Sequence, residues 1–164
     1  MNLEQLISLV NPQITSLIGQ HIGLKKFAET RAKFEGWLKV ELVRIFEEAG
    51  YRALPEVSGI DIVFESVAIE LKTSNTNLRT QGVENKGKPI TDNLKNILAD
   101  VHKLRLRDNN ADKYVIFIMF PIPPQHPNWL QYLSIINSVG VEAVTYDFTF
   151  ANNVPAKIGY IKVQ

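Results

Sequence analysis

Two carboxylates and an ammonium group stand out in this chain because they interrupt what is otherwise a buried strand pair. The segment Gly59–Lys72 (GIDIVFESVAIELK) is typical of two short strands joined by a turn at Glu65–Ser66. In that register Asp61 lies directly opposite Glu70. Cross-strand neighbours have Cβ atoms about 4.5–5.5 Å apart, and like charges placed there repel each other. A divalent cation would neutralise the pair, so both residues are candidate metal ligands.

Lys72 belongs to the same cluster, because side chains two positions apart on a strand share a face. The pattern Glu-x-Lys is also typical of half-exposed strands whose charged side chains merely face water. Two features favour the metal site: Asp61 opposes Glu70, and the same face carries the apolar Val63 and Ala68. The opposite face of the hairpin is predicted to be entirely apolar, with Ile60, Ile62, Phe64, Val67, Ile69 and Leu71.

The elements that position these residues follow from hydrophobic periodicity and from Pro and Gly signals. Helices are predicted at residues 2–10, 12–20, 25–49, 91–105 and 128–139, with a break at Asn11-Pro12. Strands are predicted at residues 51–57, 60–64, 67–72, 113–120, 142–150 and 157–163, and a loop at 73–89. This order predicts an α/β fold, bordering on α+β, in which helices flank a central mixed sheet.

Composition narrows the class of protein. A length of 164 residues suits a single domain, and the absence of cysteine excludes disulfides and thiolate metal sites. The start MNLEQLISLVNPQ does not resemble a signal peptide, and no apolar run is long enough to span a bilayer, so we expect a cytoplasmic protein without membrane contact. The net charge is only +1, but the segment from Lys72 to Arg107 holds eight basic and three acidic residues, a balance of +5 that is compatible with phosphate binding.

An Asp on one strand followed by Glu-x-Lys on the next resembles the PD-(D/E)XK nuclease superfamily. The matching residues are Asp61, Glu70 and Lys72, with Leu71 at the variable position and Ile60 where the family name has proline. The order of a helix, three strands, a helix and a further strand is also similar to the core of that superfamily. The resemblance covers residues 25–120, which leaves 1–22 as an N-terminal helical extension and 121–164 as a C-terminal helix and strands of one domain.

The resemblance implies a restriction-endonuclease-like core and a Mg²⁺-dependent nuclease, with Mn²⁺ as the expected substitute metal. Asp61, Glu70 and the Leu71 carbonyl would hold the metal, and Lys72 would position the attacking water. The implied reaction is hydrolysis of phosphodiester bonds in a nucleic acid, expected to be DNA, by a restriction- or repair-type endonuclease. A double-strand cut would call for a homodimer, for which the N-terminal helices are the candidate surface.

Family members often add a glutamate from the helix before the sheet, and two residues compete for that role. Glu35 shares a face with packed apolar residues and is favoured, while Glu41 could instead pair with a basic neighbour at the surface. The polar residues Ser74, Asn75, Asn77 and Arg79 directly follow the motif and are candidate substrate contacts. The alternative function is a catalytically silent member of the same fold that binds nucleic acid or another protein.

Overall fold

A computed structural model describes residues 1–107 and 110–164 of the chain. Its helices are α1 (Leu3–Gln20), α2 (Ile22–Thr30), α3 (Glu35–Glu48), α4 (Ile90–Arg105) and α5 (Trp129–Asn137). Its strands are β1 (Leu54–Val57), β2 (Ile60–Phe64), β3 (Val67–Asn75), β4 (Asp112–Phe120), β5 (Glu142–Thr149) and β6 (Pro155–Val163). The predicted mixed α/β class is confirmed. No helix in the described ranges is both long and apolar enough to cross a membrane.

The strands of the described ranges form one mixed sheet in the order β1-β2-β3-β4-β6-β5. β3 and β4 run parallel, with α4 as the connection between them, and the other neighbouring strands are antiparallel. One apolar cluster joins α1, α2 and α3 to the sheet, and a second joins α4 and α5 to it. The sheet is therefore covered on both faces, which explains the near-continuous apolar run of β4.

Helix α1 runs without interruption through Pro12, so the predicted break at Asn11-Pro12 is wrong. Pro12 and Ser8 are both exposed, so water can bond the Ser8 carbonyl that the missing proline N–H leaves unpaired. The apolar stripe of α1 continues across the proline and is buried within the chain, at Leu3, Leu6, Val10, Ile14 and Ile18. That face is therefore already covered within the chain.

The single helix predicted over residues 25–49 is two helices, separated by a bend at Arg31. Arg31 has a φ of 53°, in the left-handed region that stops a helix, and α3 begins only at Glu35. The Arg31 side chain is buried, and its guanidinium donates hydrogen bonds to three main-chain carbonyls, those of Thr76, Leu78 and Glu84. These partners lie far away in sequence, so local periodicity could not indicate the break.

The β2–β3 hairpin has the predicted register: Ile62 pairs with Ile69, and Phe64 with Val67. Ile60 differs from the prediction, because it packs with the α4 and α5 cluster instead of with the other hairpin residues of its face. β3 continues three residues beyond the predicted end, because Thr73–Asn75 pair with the last residues of β4. This extension carries β3 past the start of β2.

Candidate functional site

The predicted site residues gather where β3 runs on beyond its pairing with β2. The last paired residues are Ile62 and Ile69, so the next residues on the two strands are Asp61 and Glu70. The Leu71 N–H donates a 2.8 Å hydrogen bond to Asp61 Oδ2, and the Thr73 N–H donates a 2.8 Å hydrogen bond to Glu35 Oε2. Two carboxylates thus take the place of a neighbouring strand. We call this side of residues 71–75 the free edge of β3.

The Leu71 carbonyl faces the same edge. In a strand the N–H and C=O of one residue point to the same side, as the paired hydrogen bonds of antiparallel strands require. Because the Leu71 N–H reaches Asp61, its carbonyl oxygen is directed toward the Asp61 side of β3. The predicted oxygen donor set therefore converges on one end of the hairpin.

Asp61 is held by a lysine from α3. Lys39 Nζ lies 2.6 Å from Asp61 Oδ1 and also pairs with Glu56. Burial by itself would raise the pKa of Asp61, but the Lys39 ammonium and the Leu71 N–H outweigh burial and hold that pKa below its usual value. Asp61 is therefore ionised at neutral pH.

Glu70 is more deeply buried, with 3% of its surface exposed. Its Oε1 lies 2.6 Å from Nζ of Lys103, which comes from α4. Burial raises the pKa of Glu70 to about 6; the Lys103 ammonium opposes this rise, and the Asp61 charge adds to it. The ion pair with Lys103 therefore does not fully offset the effect of burial on the Glu70 carboxylate.

Lys72 lies between two acidic side chains. Its Nζ is 3.2 Å from Asp100 Oδ2 on α4 and 4.0 Å from Glu35 Oε1 on α3. Burial would lower the pKa of Lys72, but the charges of Asp100 and Glu35 raise it above its ordinary value. Burial also raises the pKa of Asp100, against the Lys72 charge. Lys72 consequently remains an ammonium ion at neutral pH and cannot serve as a base.

The structure brings Glu35, and not Glu41, to the other predicted residues. Glu35 begins α3 and contacts both Lys72 and the main chain of Thr73. Glu41 lies farther along α3, where its carboxylate accepts a 2.9 Å hydrogen bond from Arg44.

The four candidate substrate contacts do not share one environment. Ser74 is buried, with 2% of its surface exposed, and Asn75 is half-buried with its amide donating to the Arg31 carbonyl. Asn77 and Arg79 are exposed on the loop that follows β3. Asn77 and Arg79 are therefore the most accessible of the four, Asn75 is partly accessible and Ser74 is not.

Three residues of the cluster were not identified from the sequence: Lys39, Asp100 and Lys103. Lys39 follows Glu35 by four positions, so helical spacing already places it on the same face of α3. On α4 a polar row runs at intervals of three and four residues, which is also one face of a helix. Its members are Asn93, Asn96, Asp100 and Lys103. A search for polar rows on otherwise amphipathic helices would have found this signal.

The candidate metal ligands are all oxygen donors, the type of ligand that Mg²⁺ prefers. Within residues 1–107 and 110–164 there is no group of three or more His, Asp or Glu side chains that could hold a metal ion. Mg²⁺ usually takes only one or two protein carboxylates and keeps several waters, so Asp61, Glu70 and the Leu71 carbonyl suffice. The same carboxylate oxygens pair with Lys39 and Lys103, which a metal would have to displace or share.

Comparisons of the chain with protein-family models, with curated proteins and with solved structures give no significant match. Function therefore has to be inferred from the geometry and charge of this cluster.

Proposed function

We propose that this protein is a Mg²⁺-dependent nuclease that hydrolyses phosphodiester bonds in DNA, built on a restriction-endonuclease-like core. The observation that carries the proposal is the free edge of β3. There Asp61 and Glu70 converge beside the Leu71 carbonyl, and Lys72 lies next to Glu35. A buried carboxylate whose pKa is raised to about 6 by burial and by a neighbouring carboxylate is typical of a functional site.

Asp61, Glu70 and the Leu71 carbonyl would hold the metal. When bound, Mg²⁺ would act as a Lewis acid toward the phosphate oxygens and lower the pKa of bound water. Asp61 suits the ligand role because its pKa is lowered, which keeps it ionised without a metal. Glu70 gains more from a cation, because burial leaves its pKa raised, whereas at Asp61 Lys39 and the Leu71 N–H outweigh the effect of burial.

Lys72 would hold the attacking water and stabilise its hydroxide form and the charge that develops on the phosphate. Its raised pKa suits this electrostatic role, because the ammonium has to remain protonated throughout the reaction. Asp100 and Glu35 would orient Lys72 from two sides. Water adds to phosphorus, one P–O ester bond breaks, and the products are a phosphomonoester end and a hydroxyl end.

The test is cleavage of supercoiled plasmid DNA with Mg²⁺ or Mn²⁺, and with EDTA in place of the metal. We expect metal-dependent nicking or linearisation that Lys72→Ala and Asp61→Asn each reduce at least 100-fold. Glu41→Gln is the matched control, because that carboxylate pairs with Arg44 away from the cluster. Cleavage that survives in Asp61→Asn and Lys72→Ala at the wild-type rate would refute the assignment of this site.

One observation favours a second function, a catalytically silent module of the same fold that binds nucleic acid or protein. Lys39 and Lys103 form direct ion pairs with the two carboxylates, as they would if lysines had replaced the metal. Calorimetry with Mn²⁺ separates the two functions. Binding that disappears in Glu70→Gln supports the nuclease, and no heat of binding, with or without DNA, supports the silent module.

Two expectations accompany the nuclease proposal. A nuclease of this size that cuts both strands would act as a homodimer, with a surface other than the buried stripe of α1. Action on cellular DNA agrees with the cytoplasmic location expected from the sequence. Sedimentation of the protein with and without DNA measures its oligomeric state and so tests whether it is a homodimer.

A further inference from the structure

A basic cleft opens at the Asn75 end of the free edge of β3. It encloses about 370 Å³, which is within the range of volumes of small-molecule sites. Its walls come from the turn between α2 and α3, from the end of β3, from the loop before α4 and from α4 itself. The residues that define this basic cleft are Lys33, Asn75, Lys86, Gly87, Lys88 and Asn96.

The charge of the basic cleft is positive and poorly compensated. Lys33, Lys86 and Lys88 are all exposed. Among the residues that the structure describes, no carboxylate lies within 4.0 Å of the ammonium of Lys33 or Lys88, and Lys86 pairs with the exposed Glu84 at 2.6 Å. Of the residues in the described ranges, no acidic one lines the cleft. Three neighbouring ammonium groups repel one another, and an anion between them would relieve that repulsion.

The main chain holds the floor of the cleft in place. The Asn75 carbonyl accepts hydrogen bonds from the Lys88 N–H at 3.2 Å and from the Asn93 amide at 2.7 Å. Gly87 has a φ of 116°, and a Cβ there would lie 2.2 Å from the Thr76 carbonyl oxygen, so only glycine fits this close approach. The backbone that carries Lys86 and Lys88, on either side of Gly87, is therefore held in a defined conformation.

The basic cleft is continuous with the candidate site. The polar row of α4 contacts β3 at the candidate site and at the cleft. Asp100 pairs with Lys72 at the candidate site, and the Asn93 amide donates a hydrogen bond to the Asn75 carbonyl at the cleft. Asn96 lies between them on the same helix face and lines the cleft. Along β3 the three residue steps from Lys72 to Asn75 span about 10 Å. A nucleic acid strand with one phosphate at Lys72 would therefore bring a neighbouring nucleotide to the cleft.

We propose that the basic cleft binds the sugar–phosphate backbone of one DNA strand beside the phosphate that is cleaved. This inference rests on the proposed function for its choice of ligand, and it names where the substrate strand continues. Lysines contact phosphates as point charges and read no base sequence, so the cleft adds affinity and position without specificity.

The experiment measures binding without cleavage. Fluorescence anisotropy follows a labelled 12-nucleotide single strand, titrated in EDTA with wild-type protein and with the double variant Lys33→Ala/Lys88→Ala. We expect the double variant to bind about tenfold more weakly at 100 mM NaCl. The slope of log Kd plotted against log salt concentration should fall by about 1.4, because two phosphate contacts are lost. Lys95→Ala is the matched control, because Lys95 is an exposed α4 lysine that pairs with Asp92 and does not line the cleft.

The outcome is independent of whether the protein cleaves DNA. If plasmid cleavage is absent but the double variant loses binding, the nuclease proposal fails, and the proposal that the cleft binds a DNA strand stands. Wild-type affinity and salt slope in the double variant would overturn the cleft proposal. So would tighter binding of polyglutamate than of DNA at the same charge concentration, because the cleft would then suit an acidic protein. Lys33→Arg/Lys88→Arg should retain binding, which separates loss of charge from loss of fold.

Discussion

Lys72 Nζ lies 3.2 Å from Asp100 Oδ2, an ion pair between β3 and α4 whose acidic partner the motif alone does not reveal. This contact holds the lysine against the helix that also supplies Lys103 to Glu70. The position and the protonation of the predicted catalytic lysine therefore depend on α4.

Asp100→Asn is expected to lower the pKa of Lys72, because the charge that opposes the effect of burial is removed. In the wild type the stabilisation from this pair is present below pH 10.5 and is lost only as the pH rises through the higher folded-state pKa. The Nζ resonance of Lys72, followed by NMR against pH, measures the change. An unaltered midpoint in Asp100→Asn would contradict the pairing.

Glu70→Gln is expected to stabilise the fold at pH 7.5. The pKa of Glu70 is raised from 4.5 to about 6 by burial, so its ionised form costs the folded state roughly 2 kcal/mol at neutral pH. The sign follows from proton binding: between pH 4.5 and 6 the folded state holds the proton more tightly, so stability falls as the pH rises. Urea unfolding at pH 7.5 and at pH 4 tests this, because the gain should vanish at the lower pH. Glu41→Gln serves as the surface control.

Asp61→Asn is expected to have the opposite effect and to destabilise the fold by about 1–3 kcal/mol. Its pKa is lowered, so its contribution is present above pH 3.8 and is lost as the pH falls through the lower folded-state value. The substitution also takes a charged partner from Lys39, whose side chain is mostly buried. Equal stability of Asp61→Asn and wild type in urea at pH 7.5 would show that the pair contributes nothing.

Lys103→Met is expected to tighten Mn²⁺ binding by about tenfold, because it removes an ammonium 2.6 Å from a proposed metal ligand. Calorimetry with Mn²⁺ at pH 7.5 gives the affinity, and Lys95→Met controls for the loss of a surface charge from the same helix. Weaker Mn²⁺ binding in Lys103→Met would mean that this lysine assists the site instead of competing with the metal.

Gly159→Ala is expected to destabilise the sheet by about 1–3 kcal/mol. Gly159 on β6 pairs with Phe117 on β4, and a Cβ there would lie 2.1 Å from the phenyl ring. Thermal unfolding measures the loss. Phe117→Leu in the Gly159→Ala background should recover part of the stability, and no recovery would point to a backbone effect.

The local sequence pattern was sufficient to predict the hairpin and its register, but it was insufficient to predict where the surrounding helices begin and end. The alternation of apolar residues and the short turn determined the register of Asp61 and Glu70, because a slip of one residue would expose the buried face. Helix α1 continues through Pro12 because its apolar stripe is buried on both sides of the proline. Helix α2 ends at Thr30, although the helical periodicity of apolar residues continues, because Arg31 binds main-chain carbonyls that are distant in sequence. Both outcomes depend on tertiary contacts that a single sequence does not display.

The same limit applies to the site. Asp61, Glu70 and Lys72 could be predicted because they interrupt apolar strands, where a charge is conspicuous. Lys39 and Lys103 are ordinary helix-surface residues in sequence, and only the packing of α3 and α4 on the sheet brings them to the carboxylates. Sequence patterns identify charges in unusual places more readily than ordinary charges that become partners after folding.

The buried guanidinium of Arg31 recognises main-chain oxygens of the segment between β3 and α4, at Thr76, Leu78 and Glu84, and none of its side chains. Every amino acid supplies the same carbonyl. The exposed positions of that segment, Asn77, Arg79, Gln81 and Asn85 among them, can therefore be randomised in a library while the anchor is kept. This surface next to the candidate site is thus a place where new binding preferences can be selected without rebuilding the scaffold.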